Sequence, residues 1–334
     1  MNYVNEDTIT LDRISITNLL QNIGQEEVVT EIIEGLQAER KYISSKYFYN
    51  KKGSLLFEEI TRLKEYYPTR TEKEILKQIA PGLIKKYGTH EIIELGPGDH
   101  SKVSVLLNAA SALELPNILY LPLDISQPAL KNAAEELVKL FSNLYVEGYA
   151  VDFLSQFGSI KRNRPALICF FGSTIGNFEW DTSLELLQNI SRQMKKGDIL
   201  LLGMDMEKPE PLLHLAYNDS KGITKAFNLN ILNSINDLIK SDFNTSDFEH
   251  LAFFNRERSR IEMYLVAKRD LIVHSPYFDE RLKLKEGEAI HTENSHKYRH
   301  EHIREIAAAT GMELNDIHSD SQGWFALAEF QKNK

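Results

Sequence analysis

The sequence has little cysteine and no strongly basic segment. Its single cysteine, Cys169, lies in the apolar run "ALICFF", which excludes an intramolecular disulfide and a multi-cysteine metal centre. A lone buried thiol favours a reducing compartment. The net charge of −9 and the lack of any block of five basic residues argue against a nucleic-acid partner.

Long apolar segments are also missing. The N-terminal "MNYVNEDTITLDRIS" has no basic stretch followed by an apolar one, and no window approaches eighteen apolar residues. We therefore expect a cytoplasmic protein with no membrane partner. With 334 residues, 42% of them hydrophobic, the chain is long enough for one large core or two modest ones.

Strands and helices alternate through the middle of the chain. Short apolar runs predict buried strands at 91–95, 118–126, 143–153, 165–174 and 198–206. Helical periodicity lies between several of them, at 100–113, 128–141 and 183–194. Buried strands separated by helices indicate a parallel sheet covered on both faces, an α/β doubly wound, Rossmann-like fold.

The end of the chain specifies the fold class further. Residues 300–312 read as a helix and 314–330 as a strand hairpin. A five-stranded parallel half closed by a terminal antiparallel hairpin is the layout expected of class I S-adenosylmethionine-dependent methyltransferases.

The alternation stops after Met206, so residues of about 207 to 296 are predicted to be an insertion with helices at 209–240 and strands beyond. We predict a methyltransferase domain from 70–206 and 297–334. The segments 1–69 and 207–296 would form an α+β substrate-binding domain. Pro68 predicts a break before a helix of about 71–87.

The segment "ELGPGDHSK" follows the first of the buried strands and opens a helix, where a doubly wound sheet binds its ligand. Gly96 and Gly98 allow the backbone to approach that ligand. Asp124 ends the next strand and is suited to chelate two ribose hydroxyls, although a helix N-cap is the alternative. Asp152 and Phe153 follow the third strand and are suited to hydrogen-bond and stack on adenine.

A nicotinamide enzyme is the natural rival for this loop. The dinucleotide-binding pattern of such enzymes is G-x-G-x-x-G, and here Ser101 replaces its third glycine. Asp124 also lies further beyond this loop than the roughly 20 residues expected for the acidic residue that binds the ribose. Asp99 would repel a pyrophosphate at the helix start. S-adenosylmethionine carries a sulfonium cation and no phosphate, so the acidic loop favours methyl transfer.

Five segments in series carry a family resemblance. They are "YFYNKKGSLLFEEITRLKEYYPTRTE", "ELGPGDHSK", "FFGSTIGNF", "AYNDSKGITKAFNLNIL" and "RIEMYLVAKR". Together they resemble the histidine-specific Nα-methyltransferase family, which trimethylates L-histidine to hercynine in ergothioneine biosynthesis. The resemblance runs collinearly over about residues 40–330. The chain departs from the family pattern at Lys64, Pro97 and His296.

The resemblance implies two sets of site residues. S-adenosylmethionine would be held by Tyr66, Gly96, Gly98, Lys102, Asp124, Asp152 and Phe153. L-histidine would be held by Tyr49, Gly172, Asn177, Tyr217, Met263, Glu293 and Ser295. In this scheme Asn177 binds the ammonio carboxylate head, Tyr217 donates to the carboxylate, and Tyr49 serves a proton path from the amine. Tyr49 and Asn177 are the residues assigned to catalysis.

Imidazole recognition is expected at Glu293 and Ser295. Two residues apart on a strand, they point to the same face and supply a hydrogen-bond acceptor and a donor. The histidine-rich "HTENSHKYRHEH" also raises a metal site of Glu293, His296 and His300 as an alternative. We predict no resident metal.

Two further alternatives keep the fold and change the function. One is an Nα-methyltransferase for another aromatic amino acid with an indole side chain. The other is a non-catalytic regulator that binds S-adenosylmethionine. We expect the protein to be a monomer.

Overall fold

A computed structural model of the chain describes residues 7–20, 24–88 and 91–332. Its contacts divide the chain into two units, with one boundary between residues 20 and 24 and the others after Tyr67, Met206 and Lys297. The first unit, which we call the sheet unit, contains the described residues 7–20, 68–88, 91–206 and 298–332. The second unit, which we call the insert unit, contains the described residues 24–67 and 207–297.

Strands and helices are numbered in chain order. The strands are β1 (Asp7–Leu11), β2 (Ile14–Asn18), β3 (Glu91–Leu95), β4 (Ile118–Asp124), β5 (Leu144–Ala150), β6 (Ala166–Phe170), β7 (Ile199–Asp205), β8 (Phe248–Asn255), β9 (Arg260–Ala267), β10 (Leu271–Val273), β11 (Leu282–Leu284), β12 (Ala289–His296), β13 (Glu313–Ser319) and β14 (Phe325–Gln331). The helices are α1 (Gln25–Gln37), α2 (Lys51–Thr61), α3 (Tyr67–Tyr87), α4 (Val103–Ala112), α5 (Gln127–Leu140), α6 (Phe153–Gln156), α7 (Trp180–Gln193), α8 (Glu210–Tyr217), α9 (Ile223–Ile239) and α10 (His300–Thr310).

Within the described chain, nine strands of the sheet unit form one sheet, in the order β1-β2-β5-β4-β3-β6-β7-β14-β13. The pairs from β2 to β7 are parallel, and β14 runs antiparallel to both β7 and β13. This order confirms the predicted doubly wound sheet with a terminal antiparallel hairpin.

The sheet is buried on both faces. Every residue of β3, β6 and β7 is buried, which explains why these strands are mostly apolar along their whole length. Neighbouring residues serve opposite faces: Ile92 belongs to one core cluster and Ile93 to the other. Burying each such side chain contributes about 1.5–3 kcal/mol, so the two clusters hold the strand ends in fixed positions.

The structure corrects two details of the sequence prediction. The segment 1–69 was assigned as a whole to the substrate-binding domain, but strands β1 and β2 within it form a hairpin that belongs to the sheet, because Ile14 of β2 pairs in parallel with Val146 of β5. Helix α3 begins at Tyr67, so Pro68 lies in its first turn and does not precede the helix. Proline is tolerated there because a first-turn N–H has no partner within the helix.

The insert unit combines helices with a small antiparallel sheet. Strands β12, β9 and β8 form a three-stranded sheet in that order, and β10 pairs with β11. A 3-10 turn at Ser45–Phe48 packs on α9, where the Phe48 and Phe227 rings stack 4.4 Å apart. No helix among the residues described is both long and apolar enough to cross a bilayer.

Candidate active site

The glycine turn after β3 has the backbone that glycine permits. Gly96 and Gly98 adopt φ values of +60° and +57°, in the left-handed region that other residues rarely adopt. The Gly96 N–H donates to the Leu123 carbonyl at 2.9 Å, which fixes the turn to the end of β4. A Cβ on Gly96 would lie 3.7 Å from Cε1 of Phe153, so the predicted adenine-stacking ring lies beside this turn.

The predicted ribose-binding carboxylate is Asp124, at the end of β4. Its Oδ1 accepts the Ser126 N–H at 2.9 Å, while Ser126 itself caps α5 by accepting from the Ala129 N–H. The helix N-cap alternative therefore belongs to Ser126. Desolvation raises the pKa of Asp124, although hydrogen bonds from backbone N–H groups oppose it.

Asp152 and Phe153 follow β5 at the same edge of the sheet. The Asp152 N–H donates to Gln156 Oε1 at 3.0 Å, and its Oδ2 accepts from the Ser155 hydroxyl at 3.2 Å. The Phe153 ring packs edge-on against Phe170 of β6 at 5.7 Å. Both are half-buried, so each keeps part of its surface open at the strand ends.

Lys102 and Gly172 are joined by a residue that the sequence prediction missed. Glu72 of α3 is fully buried, and its Oε2 lies 2.7 Å from Lys102 Nζ. The Gly172 N–H donates to both Glu72 oxygens, at 2.8 and 2.9 Å. Glu72 thus ties the glycine-loop lysine to the loop after β6. In the sequence of an amphipathic helix, a buried glutamate looks the same as one exposed to solvent, so the sequence gives no clear indication that Glu72 is buried.

Asn177 ends a 3-10 turn, Thr174–Asn177, in that loop after β6. The loop is anchored at Ser173, which adopts a left-handed φ of 55° and accepts the Asp205 N–H through its hydroxyl at 2.9 Å. Gly172 and Asn177 therefore lie on the sheet unit, at the carboxyl ends of the parallel strands that also carry Gly96 and Asp124.

Glu94 is a second buried carboxylate that the sequence analysis did not single out. It is buried inside β3, where desolvation raises its pKa to about 8 despite a 2.6 Å hydrogen bond from the Tyr120 hydroxyl. The available signal was a glutamate between the apolar residues Ile93 and Leu95 of a predicted buried strand.

On the insert unit, three polar groups form a buried triangle. The Tyr217 hydroxyl donates to Ser295 Oγ at 2.7 Å. Lys297 Nζ donates to the same Ser295 oxygen at 2.8 Å and to the Tyr217 hydroxyl at 3.0 Å. Lys297 is only 1% exposed and was not among the predicted site residues, although it is a charged residue at the next same-face position after Glu293 and Ser295.

Glu293 lies opposite Met263 in the pairing of β12 with β9, so these two predicted substrate residues are neighbours on one face. The Glu293 carboxylate accepts no hydrogen bond from the described residues. Desolvation raises its pKa to about 7, and the Lys297 charge acts in the opposite direction.

Tyr49 and Tyr66 belong to an aromatic group of the insert unit. The Tyr49 ring lies 5.7 Å from Phe57 and 6.0 Å from Phe227. The Tyr66 ring lies 6.3 Å from Phe57 and 6.3 Å from Tyr217. Tyr66, predicted to bind the cofactor, is thus on the unit that carries most of the predicted substrate residues.

The histidines of "HTENSHKYRHEH" are divided between the two units, with His291 and His296 in the insert unit and His300 and His302 in the sheet unit. His296 pairs with Arg260 across the sheet, on the face opposite Glu293 and Ser295, with 3.4 Å between Nε2 and Arg260 Nη1. His300 opens α10 of the sheet unit. Across the described ranges, no group of three histidine, cysteine or acidic side chains is arranged to hold a metal ion.

The sheet order, the glycine turn and the carboxylates at the strand ends define a class I S-adenosylmethionine-dependent methyltransferase. A family model described as "Histidine-specific methyltransferase, SAM-dependent" matches residues 28–332, and the chain belongs to that family. Membership confirms two expectations, an amino-acid methyltransferase and S-adenosylmethionine as its cofactor.

Individual relatives agree with the family. The chain is 34% identical to "Histidine N-alpha-methyltransferase" of Mycolicibacterium smegmatis, covering 94% of this chain and 98% of that protein. It is 34% identical to the Mycobacterium tuberculosis protein of the same name, covering 95% and 98%. It is 30% identical to "Ergothioneine biosynthesis protein 1" of Schizosaccharomyces pombe, covering 86% of this chain and 38% of that longer protein.

Proposed function

We propose that the protein transfers methyl groups from S-adenosylmethionine to the α-amino nitrogen of L-histidine. Three transfers give hercynine, and this reaction is a step of ergothioneine biosynthesis. The observation that carries the choice of histidine is Glu293, a desolvated carboxylate to which no described residue donates a hydrogen bond. Ser295 supplies a hydroxyl two residues away on the same face of β12.

The sheet unit has the charge that a sulfonium cofactor needs. Asp99, Asp124 and Asp152 lie at the strand ends, while Lys102 is already paired with Glu72. This acidic edge suits a cation with ribose hydroxyls and opposes a pyrophosphate. Gly96 and Gly98 would accommodate the cofactor's close approach, and Phe153 would cover its adenine. When bound, S-adenosylmethionine supplies an electrophilic methyl group.

The protein's part in the reaction is chiefly positioning. The Asn177 amide offers a donor and an acceptor to the ammonio carboxylate head, and the Gly172 carbonyl offers an acceptor to the amine. Holding the nitrogen in line with the methyl group replaces a bimolecular encounter with an oriented one. Tyr49, which is 48% exposed, would pass the amine proton to water, because a phenol with a pKa of about 10 is a poor base near neutrality.

Imidazole recognition follows from hydrogen-bond satisfaction. In the proposed complex a ring N–H donates to Glu293, and this bond favours the carboxylate form of a group whose pKa is otherwise raised to about 7. A side chain that cannot donate leaves that carboxylate unpaired, at a cost of about 1–3 kcal/mol or more. Substrates without the N–H are rejected for this reason.

Replacing Glu293 with alanine tests the assignment. We expect Glu293→Ala to weaken histidine binding about 10- to 100-fold, the equivalent of losing that hydrogen bond, while binding of the demethylated cofactor changes little. Calorimetric titration with each ligand measures both. Glu249→Gln, an exposed change on β8, is the matched control. Unchanged histidine affinity in Glu293→Ala would remove Glu293 from the site.

Product analysis separates the proposal from its two rivals. With labelled methyl donor and a panel of free amino acids, the proposal expects label on histidine, ending at the trimethylated product. Label on tryptophan in preference to histidine would instead identify an indole substrate. Binding of both ligands without any methylated product would identify a regulator.

Several finer points extend the proposal. We assign two tasks to the sheet unit: cofactor binding, and binding of the substrate's ammonio carboxylate head by Gly172 and Asn177. We assign recognition of the substrate's side chain to the insert unit. From the charge and the single buried cysteine, we also propose a cytoplasmic protein that acts on a small molecule and not on nucleic acid.

A further inference from the structure

Lys297 is a buried cation that the proposed reaction does not use. It follows directly after β12 and is 1% exposed. Its Nζ lies 2.8 Å from Ser295 Oγ, 3.0 Å from the Tyr217 hydroxyl and 4.9 Å from the centroid of the Tyr217 ring. Burying a charge is costly unless it is well partnered, so this arrangement calls for a role beyond packing.

The directions of the hydrogen bonds in this triangle are constrained. An ammonium group has three N–H donors and no acceptor, so both hydroxyl oxygens must accept from Lys297. The single Tyr217 hydroxyl hydrogen is directed to Ser295 Oγ at 2.7 Å. Ser295 Oγ therefore accepts two hydrogen bonds, which occupies both of its lone pairs.

One hydrogen remains to be placed. The Ser295 hydroxyl hydrogen has no acceptor within the triangle, because each neighbouring group already donates to Ser295. On the same face of β12, Glu293 provides an acceptor that no described residue fills with a donor. The site thus presents one hydrogen-bond donor and one acceptor to a ligand.

We propose that Lys297 is a specificity-determining residue that fixes Ser295 as a hydrogen-bond donor, so that the site selects an aromatic ring with one N–H and one unprotonated nitrogen. Neutral imidazole has this pattern. An indole lacks the acceptor nitrogen, and an imidazolium has two N–H groups and no acceptor. The inference rests on the proposed function, since it takes histidine as the ligand of Glu293 and Ser295.

The test compares histidine with analogues on the same variant. In the two pyrrolyl-alanines, one or the other ring nitrogen of histidine is replaced by CH, so an N–H remains and the acceptor is lost. We expect the wild-type protein to bind histidine at least tenfold more tightly than the better of the two analogues. In Lys297→Met, which keeps the length of the chain without its donors, we expect this ratio to fall to within about threefold of unity.

The ratio is informative because general damage weakens all three ligands alike. Lys297→Arg, which retains donors only, should keep the wild-type ratio. If Lys297→Met does not fold, Lys297→Gln replaces it: an amide oxygen can accept the Ser295 hydrogen, so the ratio should fall there too. Demethylated-cofactor binding to each variant, measured by calorimetry, verifies that the protein is intact.

The outcomes also separate this inference from the proposed function. If the wild-type protein neither binds nor methylates histidine, the proposed function fails and the inference fails with it. If the wild-type protein methylates histidine but the ratio is the same in wild type and in the folded Met or Gln variant, only the role of Lys297 is overturned.

Discussion

At the scale of single residues, the protonation state of His250 is fixed by its neighbours. Asn228 Nδ2 donates to the Tyr264 carbonyl at 3.0 Å, which identifies it as the amide nitrogen, and to His250 Nδ1 at 2.9 Å. Nδ1 must therefore accept, so the ring hydrogen is on Nε2 and donates to the Tyr217 carbonyl at 3.0 Å. The neutral imidazole of His250 thus anchors the backbone of Tyr217, a proposed substrate-binding residue.

His250 should make the protein less stable in mild acid. Burial lowers the pKa of His250 below its ordinary value of 6.5, so between those two values the unfolded chain binds more protons than the folded one. Its contribution to the free energy of unfolding is therefore complete above about pH 6.5 and declines as the pH falls below it.

Denaturant unfolding of the wild type and of His250→Gln across pH 5 to 8 measures this contribution. We expect the difference between the two proteins to shrink toward pH 5. At pH 8 the variant should be destabilised by about 1–3 kcal/mol, the cost of leaving buried partners unsatisfied. His274→Gln, on an exposed residue, is the control. A difference that does not vary with pH contradicts the neutral imidazole in the folded protein.

At the scale of elements, Glu72 connects helix α3 with two loops at the carboxyl ends of the strands. Its carboxylate reaches Lys102 at the start of α4 and the Gly172 N–H after β6. A Cβ on Gly172 would lie 3.0 Å from Lys102 Nζ, so glycine is needed both for the φ of +79° and for this close approach. The helix thereby sets the spacing of two proposed ligand-binding loops.

Removing this carboxylate should affect both stability and cofactor binding. We expect Glu72→Ala to lower the free energy of unfolding by about 3–5 kcal/mol, because it leaves a partly buried ammonium and a backbone N–H unpaired. Affinity for the demethylated cofactor should fall at least tenfold. Denaturant unfolding and calorimetry measure the two effects. Glu74→Gln, exposed on the same helix, should change neither; equal behaviour of the two variants would exclude the connecting role.

At the scale of the whole molecule, the terminal hairpin is fastened to α3 of the sheet unit through Glu329. This residue of β14 accepts from Tyr87 at 2.7 Å, Lys86 at 3.0 Å and Asn315 at 3.1 Å. Burial alone would raise the pKa of Glu329, but the His318 imidazole and these donors lower it to about 2. Strands and helix far apart in sequence thus depend on one ionised carboxylate.

Glu329 should contribute to acid stability. A folded pKa of about 2 lies below the ordinary 4.5, so its contribution is complete above about pH 4.5 and is lost as the pH falls toward 2. Because Lys86 is exposed and its ion pair screened, we expect Glu329→Gln to cost about 1–3 kcal/mol at pH 7. Unfolding curves from pH 7 to 3 check this against Glu305→Gln, an exposed control. A variant as stable as the control at pH 7 would contradict it.

Local pattern predicted much of the fold because local pattern is what determines a buried strand. The prediction for 91–95 coincides with β3, and β4, β5, β6 and β7 lie within their predicted ranges, since apolar runs of that length are buried on both faces. The strands β1 and β2 were not predicted, and their segment was assigned to the other domain, because a few apolar residues alternating with polar ones do not indicate which core they join. That choice depends on pairing with β5, more than a hundred residues away.

The sequence by itself determined the glycine turn, the carboxylates at the strand ends and the alternation of Glu293 with Ser295, because each follows from backbone geometry over a few residues. Only the tertiary structure decided the buried partners of Glu72 and Lys297. A charged side chain has the same local pattern whether water or a buried partner surrounds it. Its partners, such as Gly172 for Glu72 or Tyr217 for Lys297, come from distant segments that only folding brings together.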